Sequence, residues 1–233
     1  MKTLNTKKLA TLAMLSALSF LIALPFHFIK IPLVPDAPHL LFEPKDIVIA
    51  VAGFIFGPLV LIPMSAAVAI MEMTLSGTGI FGIIMNVAST LAFTLPAALI
   101  YKAWRTITGA VIGLCIGAAM TAAVMVPLNY LITPAFTGYP VELVAALLKP
   151  IAIFNITKYA LVAAMTMLVY KSLKASLIKA RLIPEEVIPK NREDSDKTGA
   201  PTKTFDYNKT VWIISVLVII VCIFGILYLN GVF

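Results

Sequence analysis

Long apolar runs alternate along this chain with short basic or proline-marked segments. A helix needs about 20 apolar residues to cross a hydrocarbon core about 30 Å thick. The runs at 9–28, 80–101, 109–133, 150–170 and 211–229 fit that requirement. None shows the every-other-residue alternation of a barrel strand, so the predicted spans are helices. The run at 46–75 is cut by Gly57-Pro58 and by Pro63. A Gly-Pro pair marks a turn, which predicts two helices, over 46–56 and 58–75. The first is about 17 Å long at 1.5 Å per residue, too short to cross. A helix that stops inside the membrane must end against protein or a cavity.

The segments between the runs complete the organisation. Residues 30–44 are held extended by Pro32, Pro35 and Pro38. Ser76-Gly77-Thr78-Gly79 is a turn, residues 102–108 form a basic turn, and 134–149 read as a long loop with a short helix at 141–148. The segments 30–44, 76–79 and 134–149 fall on one side of the membrane and are expected to form a lid. Residues 183–209 are rich in charge and proline, the composition of a flexible linker that leaves the helix after it mobile. The expected fold class is all-α integral membrane: a six-helix bundle over 1–182, the linker at 183–209, and one additional C-terminal transmembrane helix over 210–233.

Composition agrees. Hydrophobic residues are 61% of the chain and charged residues 12%, about half the charge of a soluble domain, with a mean hydropathy of +1.00. The net charge of +7 comes from lysines and arginines that flank apolar runs and form no patch, so it marks topology and not nucleic-acid binding. With the N-terminus cytoplasmic, fourteen of the 18 basic residues lie inside, Lys30, Lys45 and Lys149 lie outside, and Lys158 lies within the membrane. The expected location is a cell membrane, crossed several times, lipid bilayer on all sides. The basic start followed by an apolar run imitates a secretory signal, but no small-residue cleavage site follows before Phe26-His27, so an uncleaved first helix is expected. Cys115 and Cys222 sit inside apolar runs as small hydrophobes, with no disulfide or metal spacing.

The candidate chemistry lies in the sixth run, which carries Asn155 and Lys158. A lysine at membrane depth costs about 2.5–3.5 kcal/mol on insertion scales. Positions three apart share a helix face, so the amide and the ammonium point into one space. Lys158 either snorkels along its stem to the surface or shares a polar pocket with Asn155; intramembrane ionisable groups usually face the interior, which favours the pocket. Asn129 and Asn86 lie toward the outer ends of the fifth and fourth spans. A single membrane asparagine more often links helices, at about 0.6–2 kcal/mol. Three amides and one ammonium at similar depth instead suit a neutral guest with hydroxyl or imide edges. Asp46 is expected to cap the short helix, with Lys45 and Glu72 at the membrane surface and His27 and His39 near it. Ala10, Ala13 and Ala17 form a small-residue stripe that permits close approach of another helix.

No catalytic set is present. The chain has no His-Glu-x-x-His, no Gly-x-Ser-x-Gly and no phosphate-cradling loop, so it is not expected to be an enzyme or to hold a metal or cofactor. Energy from ATP has to come from partners.

Several segments carry a family resemblance: Lys7-Lys8-Leu9-Ala10 with Ala13 and Ala17, Lys45-Asp46-Ile47 through Gly53-Phe54-Ile55-Phe56-Gly57-Pro58, Gly79 to Asn86, Asn129-Tyr130-Leu131-Ile132-Thr133-Pro134, and Phe154-Asn155-Ile156-Thr157-Lys158. Over residues 7–177 the chain resembles the riboflavin-type substrate-binding S component of an energy-coupling factor (ECF) vitamin transporter. The resemblance implies a six-helix fold with the vitamin near the outer face, bonded by Asn129, Asn155 and Lys158. It implies that Ala13 and Ala17 meet a transmembrane T subunit, and that two ATPase subunits drive a toppling of the pocket inward. The seventh span departs from the family's six. Flavin mononucleotide is a second candidate ligand. An S component for another vitamin, a flavin exporter and a membrane scaffold whose asparagines only join helices remain alternatives.

Overall fold

A computed structural model describes residues 6–31, 33–35, 40–76, 79–182 and 207–229. Helices make up nearly all of them: α1 (Thr6–Ile29), α2 (Asp46–Phe56), α3 (Leu61–Ser76), α4 (Gly79–Trp104), α5 (Ile107–Thr137), α6 (Val141–Lys179) and α7 (Tyr207–Leu229), with one 3-10 turn at Pro58–Val60 leading into α3. Five segments among the described residues are long and apolar enough to cross a membrane; Asp46–Phe56 and Trp212–Leu227 are shorter apolar helices. The chain is a multi-pass membrane protein.

The short α2 is the central post. Every residue from Asp46 to Ile55 is buried, and α1, α3, α4 and α6 all pack on it. An apolar helix surrounded by others needs no polar face, and α2 has none along 47–56. Gly57 stops it: at φ 92° only glycine sits without strain, and its N–H closes on the Gly53 carbonyl at 2.9 Å. Pro58 then starts the 3-10 turn, where its missing N–H is not needed. At the Phe54 end of α2 three aromatic rings meet. Phe54 lies 4.7 Å from Tyr101 and 5.9 Å from Tyr170, and the two tyrosine hydroxyls are 2.7 Å apart. Lys174 donates to the Tyr170 hydroxyl at 3.4 Å.

α4 and α5 pack almost backbone to backbone. A Cβ at Gly113 would lie 2.9 Å from the Ala97 carbonyl oxygen, and one at Gly117 would overlap the Phe93 carbonyl. This is the small-residue route to close helix contact in lipid.

Two expectations fail at prolines. The long loop at 134–149 does not exist: α5 runs through Pro134 to Thr137, and α6 starts at Val141 and runs through Pro150. Each proline removes one backbone hydrogen bond, which a packed membrane helix tolerates. The true stop is Gly138 in the left-handed conformation, its N–H on the Pro134 carbonyl at 3.0 Å. The connection there shrinks to 138–140 and contributes no long lid segment.

Of the expected linker at 183–209, residues 183–206 lie outside the described residues, as do His39, Pro32, Pro38, Gly77 and Thr78, and 207–209 already belong to α7. The helix after it was expected to be mobile. It lies instead along α6, with Ile219, Cys222 and Ile226, one helical face, against the core cluster that contains Phe154, Leu161 and Val162.

Candidate functional site

Lys158 is buried on α6, 6% exposed, about 25 Å along the helix from Val141. It does not snorkel. Its ammonium lies 6.0 Å from the Phe154 ring centroid and 5.3 Å from that of Tyr159, and among the described residues it has no hydrogen bond or ion pair. A buried ammonium held only by ring faces keeps donors for a guest. Asn155, one turn earlier and 4% exposed, donates to the Ile151 carbonyl at 2.8 Å. That leaves its second N–H and its carbonyl oxygen beside Lys158.

Asn129 is also buried, on α5, which packs along α6. Its amide donates to the Met125 carbonyl at 2.8 Å, and its oxygen accepts from Thr133 at 3.2 Å. One amide hydrogen and one lone pair remain. These bonds back to the helix fix the rotamer, so the remaining groups are aimed without further ordering cost.

Asn86 on α4 has different company. Its oxygen accepts from Lys45 at 2.6 Å, and its nitrogen donates to Glu72 at 2.5 Å. Lys45 also pairs with Glu72 directly and lies 3.4 Å from Glu43. The expectation that Lys45 and Glu72 lie at the membrane surface is therefore corrected: they are 1% and 6% exposed. Burial is tolerated because each charge has an opposite partner and an amide at hand. Asp46 does not cap α2, which has no side-chain cap. It is fully buried and accepts from Thr90 at 2.7 Å, so it ties α2 to α4. Ser19 donates to the Lys45 carbonyl at 2.7 Å and adds α1 to the same joint.

Sequence reasoning did not single out Glu43. It sits in the segment before α2, where Phe42 is buried in the core cluster with Phe154 of α6 and packs edge-on to Phe26 at 5.6 Å. Burial raises its carboxyl, but Lys45, then Lys158, and behind them His27, outweigh that and hold it below the usual carboxylate range. The available signal was an acidic residue two positions from a lysine at the mouth of an apolar helix. His27 lies in the last turn of α1, 3.1 Å from the Leu75 carbonyl. No cluster of metal ligands exists among the described residues.

Ala10, Ala13 and Ala17 are exposed on α1, beside Met14 and Leu21. Among the described residues the stripe is on the exposed side of α1.

Residues 7–170 match the family described as ECF transporter, substrate-specific component. The riboflavin transporter FmnP of Bacillus subtilis (strain 168) is 32% identical over 141 residues, 58% of this chain and 72% of that protein. The riboflavin transporter RibU of Staphylococcus aureus (strain TCH60) is 29% identical over 176 residues, 72% of this chain and 91% of that one. A solved structure reported as the S component of a bacterial ECF transporter superposes with a TM-score of 0.61 at 29% identity, over 74% of this chain and 98% of that one. With α1 through most of α6 inside the matched region, the chain belongs to the substrate-specific components of ECF transporters.

Proposed function

We propose that this chain captures riboflavin from outside the cell and delivers it inward as the S component of an ECF transporter. The observation that carries the reading is the unpaired Lys158 ammonium beside the half-used amide of Asn155, both buried on one face of α6. Riboflavin matches that lining. Its isoalloxazine ring is flat and largely apolar, suited to aromatic and aliphatic walls, while its imide edge and ribityl hydroxyls need amide and ammonium partners. Asn129, Asn155 and Lys158 take those roles in this reading. Asn86, spent on Lys45 and Glu72, braces the mouth of the site. The relatives named as riboflavin transporters favour this vitamin over another neutral planar one.

The chain itself carries no ATP-binding motif. In this reading a T subunit docks on the Ala13 and Ala17 face of α1, two ATPase subunits supply the energy, and the chain performs no covalent chemistry and carries no resident cofactor. The one-sided distribution of basic residues supports a cytoplasmic N-terminus in this reading.

The test is titration of the purified chain by quenching of flavin fluorescence. Each truncation leaves a guest group unpaired, at about 1–3 kcal/mol. Asn155→Ala and Lys158→Ala are each expected to weaken riboflavin binding about ten- to hundredfold while the protein stays folded. Unchanged affinity in both sinks the assignment.

A further inference from the structure

We propose that Asp46 and Tyr159 hold one ordered water between them where α2, α4 and α6 meet, and that this bridge makes Tyr159 a positioning residue for Lys158. The positioning role rests on the flavin reading above; the bridge itself does not.

Three buried side-chain atoms among the described residues have no hydrogen-bond partner: Asp46 Oδ2, Glu72 Oε1 and the Tyr159 hydroxyl. Glu72 is answered through its other oxygen by Lys45 and Asn86. Asp46 and Tyr159 are less well served. Both are fully buried; Asp46 accepts one bond, from Thr90, and the Tyr159 hydroxyl has none. Unpaired polar groups at such depth are costly, and native interiors seldom keep them.

Helix α4 brings the two together. Thr90 donates to Asp46 at 2.7 Å. Phe93, three residues on and so on the same helix face, packs on Tyr159 with 4.6 Å between ring centroids. Ser89, also buried, donates its hydroxyl hydrogen to the Asn86 carbonyl at 3.0 Å and keeps lone pairs. Ser89 and Asp46 both face the Tyr159 hydroxyl without closing a direct bond to it. A polar gap of that kind suits a buried water, which needs two to four partners. One water satisfies every group. The phenol donates to it, and its own hydrogens go to Asp46 Oδ2 and Ser89 Oγ.

Tyr159 also touches the candidate site, since the Lys158 ammonium lies 5.3 Å from its ring centroid. Phe93 and the tethered hydroxyl together fix the tilt of the ring, and with it the face on which the ammonium rests. With the tether cut, ring and ammonium must be reordered when a guest binds, which weakens affinity.

The experiment has two arms, both on the full-length chain. A crystal structure at a resolution that shows ordered water should place one within hydrogen-bond distance of Asp46 Oδ2 and the Tyr159 hydroxyl. A map in which those atoms bond each other directly, or meet no water, overturns the bridge. Flavin-fluorescence titration then reads the positioning role. Tyr159→Phe keeps the ring and should raise the riboflavin Kd about three- to tenfold. Asp46→Ala should do the same, and the double variant should be no worse than either single one. Asp46→Asn, whose amide oxygen still accepts from the water, should stay within about twofold of the unsubstituted chain. Tyr101→Phe breaks the hydroxyl pair at the far end of α2 and should lower the melting temperature without moving Kd. The positioning role is overturned by an unchanged Kd in Tyr159→Phe, by additive losses in the double variant, or by Asp46→Asn binding as weakly as Asp46→Ala. A Kd that also moves in Tyr101→Phe marks general loosening and overturns it too. If the unsubstituted chain does not bind riboflavin, the flavin reading fails and the positioning role with it, while the map still decides the bridge.

Discussion

The buried joint around Lys45 makes a quantitative prediction, because its members differ in what each leaves behind. Replacing Lys45 with Met removes the cation shared by Glu72 and Glu43. Glu72 then keeps only the Asn86 amide, at 8% exposure and beside another carboxylate. Breaking a buried pair this way costs about 3–5 kcal/mol. Glu72→Met is milder, since Lys45 retains Asn86 at 2.6 Å and Glu43 at 3.4 Å. One lost charged hydrogen bond of that kind costs about 1.5–3 kcal/mol. The double variant Lys45→Met, Glu72→Met removes both charges and fills the space with apolar volume, which is often close to neutral. It should therefore be more stable than Lys45→Met alone, and far more stable than the sum of the two single costs. The assay is thermal unfolding of the detergent-purified chain. With about 2–4 °C per kcal/mol for a protein of this length, Lys45→Met should melt about 6–20 °C below the parent. Strict additivity in the double variant would mean that the two side chains do not act as a pair, and would refute the reasoning.

Two further outcomes follow from exposed and added surfaces. Ala13→Leu with Ala17→Leu should leave riboflavin affinity intact and abolish both co-purification with the T subunit and uptake in cells; normal uptake would move the docking face elsewhere. A chain ending at Leu182 should still insert and bind riboflavin with full affinity, because α7 offers no Asp, Glu, Lys, Arg or His from 211 to 229. It should melt a few degrees lower, since the Ile219, Cys222 and Ile226 contacts with the core are lost; loss of binding with normal expression would tie α7 to the site.

What the sequence revealed, and what it concealed, can be traced to particular residues. The short α2 was legible to the residue, because Gly57-Pro58 is a local signal that no tertiary contact overrides. The buried pair Asn155 and Lys158 was legible because helical spacing and the cost of a membrane lysine are both local facts. The ends of α5 and α6 were not, because Pro134 and Pro150 read as breakers until neighbouring helices compensate their missing bonds. The Lys45 joint was hidden for a different reason. Its partners are 27 and 41 residues away, and a charge at the mouth of an apolar run looks the same whether water or a carboxylate receives it. Glu43 escaped notice for the same cause.

The aromatic triad at the Phe54 end of α2 bears on how a guest could ever cross. Phe54, Tyr101 and Tyr170 pack together at that end of the short helix, and the two tyrosine hydroxyls there bond each other. Opening a path there would separate three packed rings and break the hydroxyl pair at once. In the proposed reading, where partner ATPases tilt the whole chain, that floor would travel with the site and would not have to part.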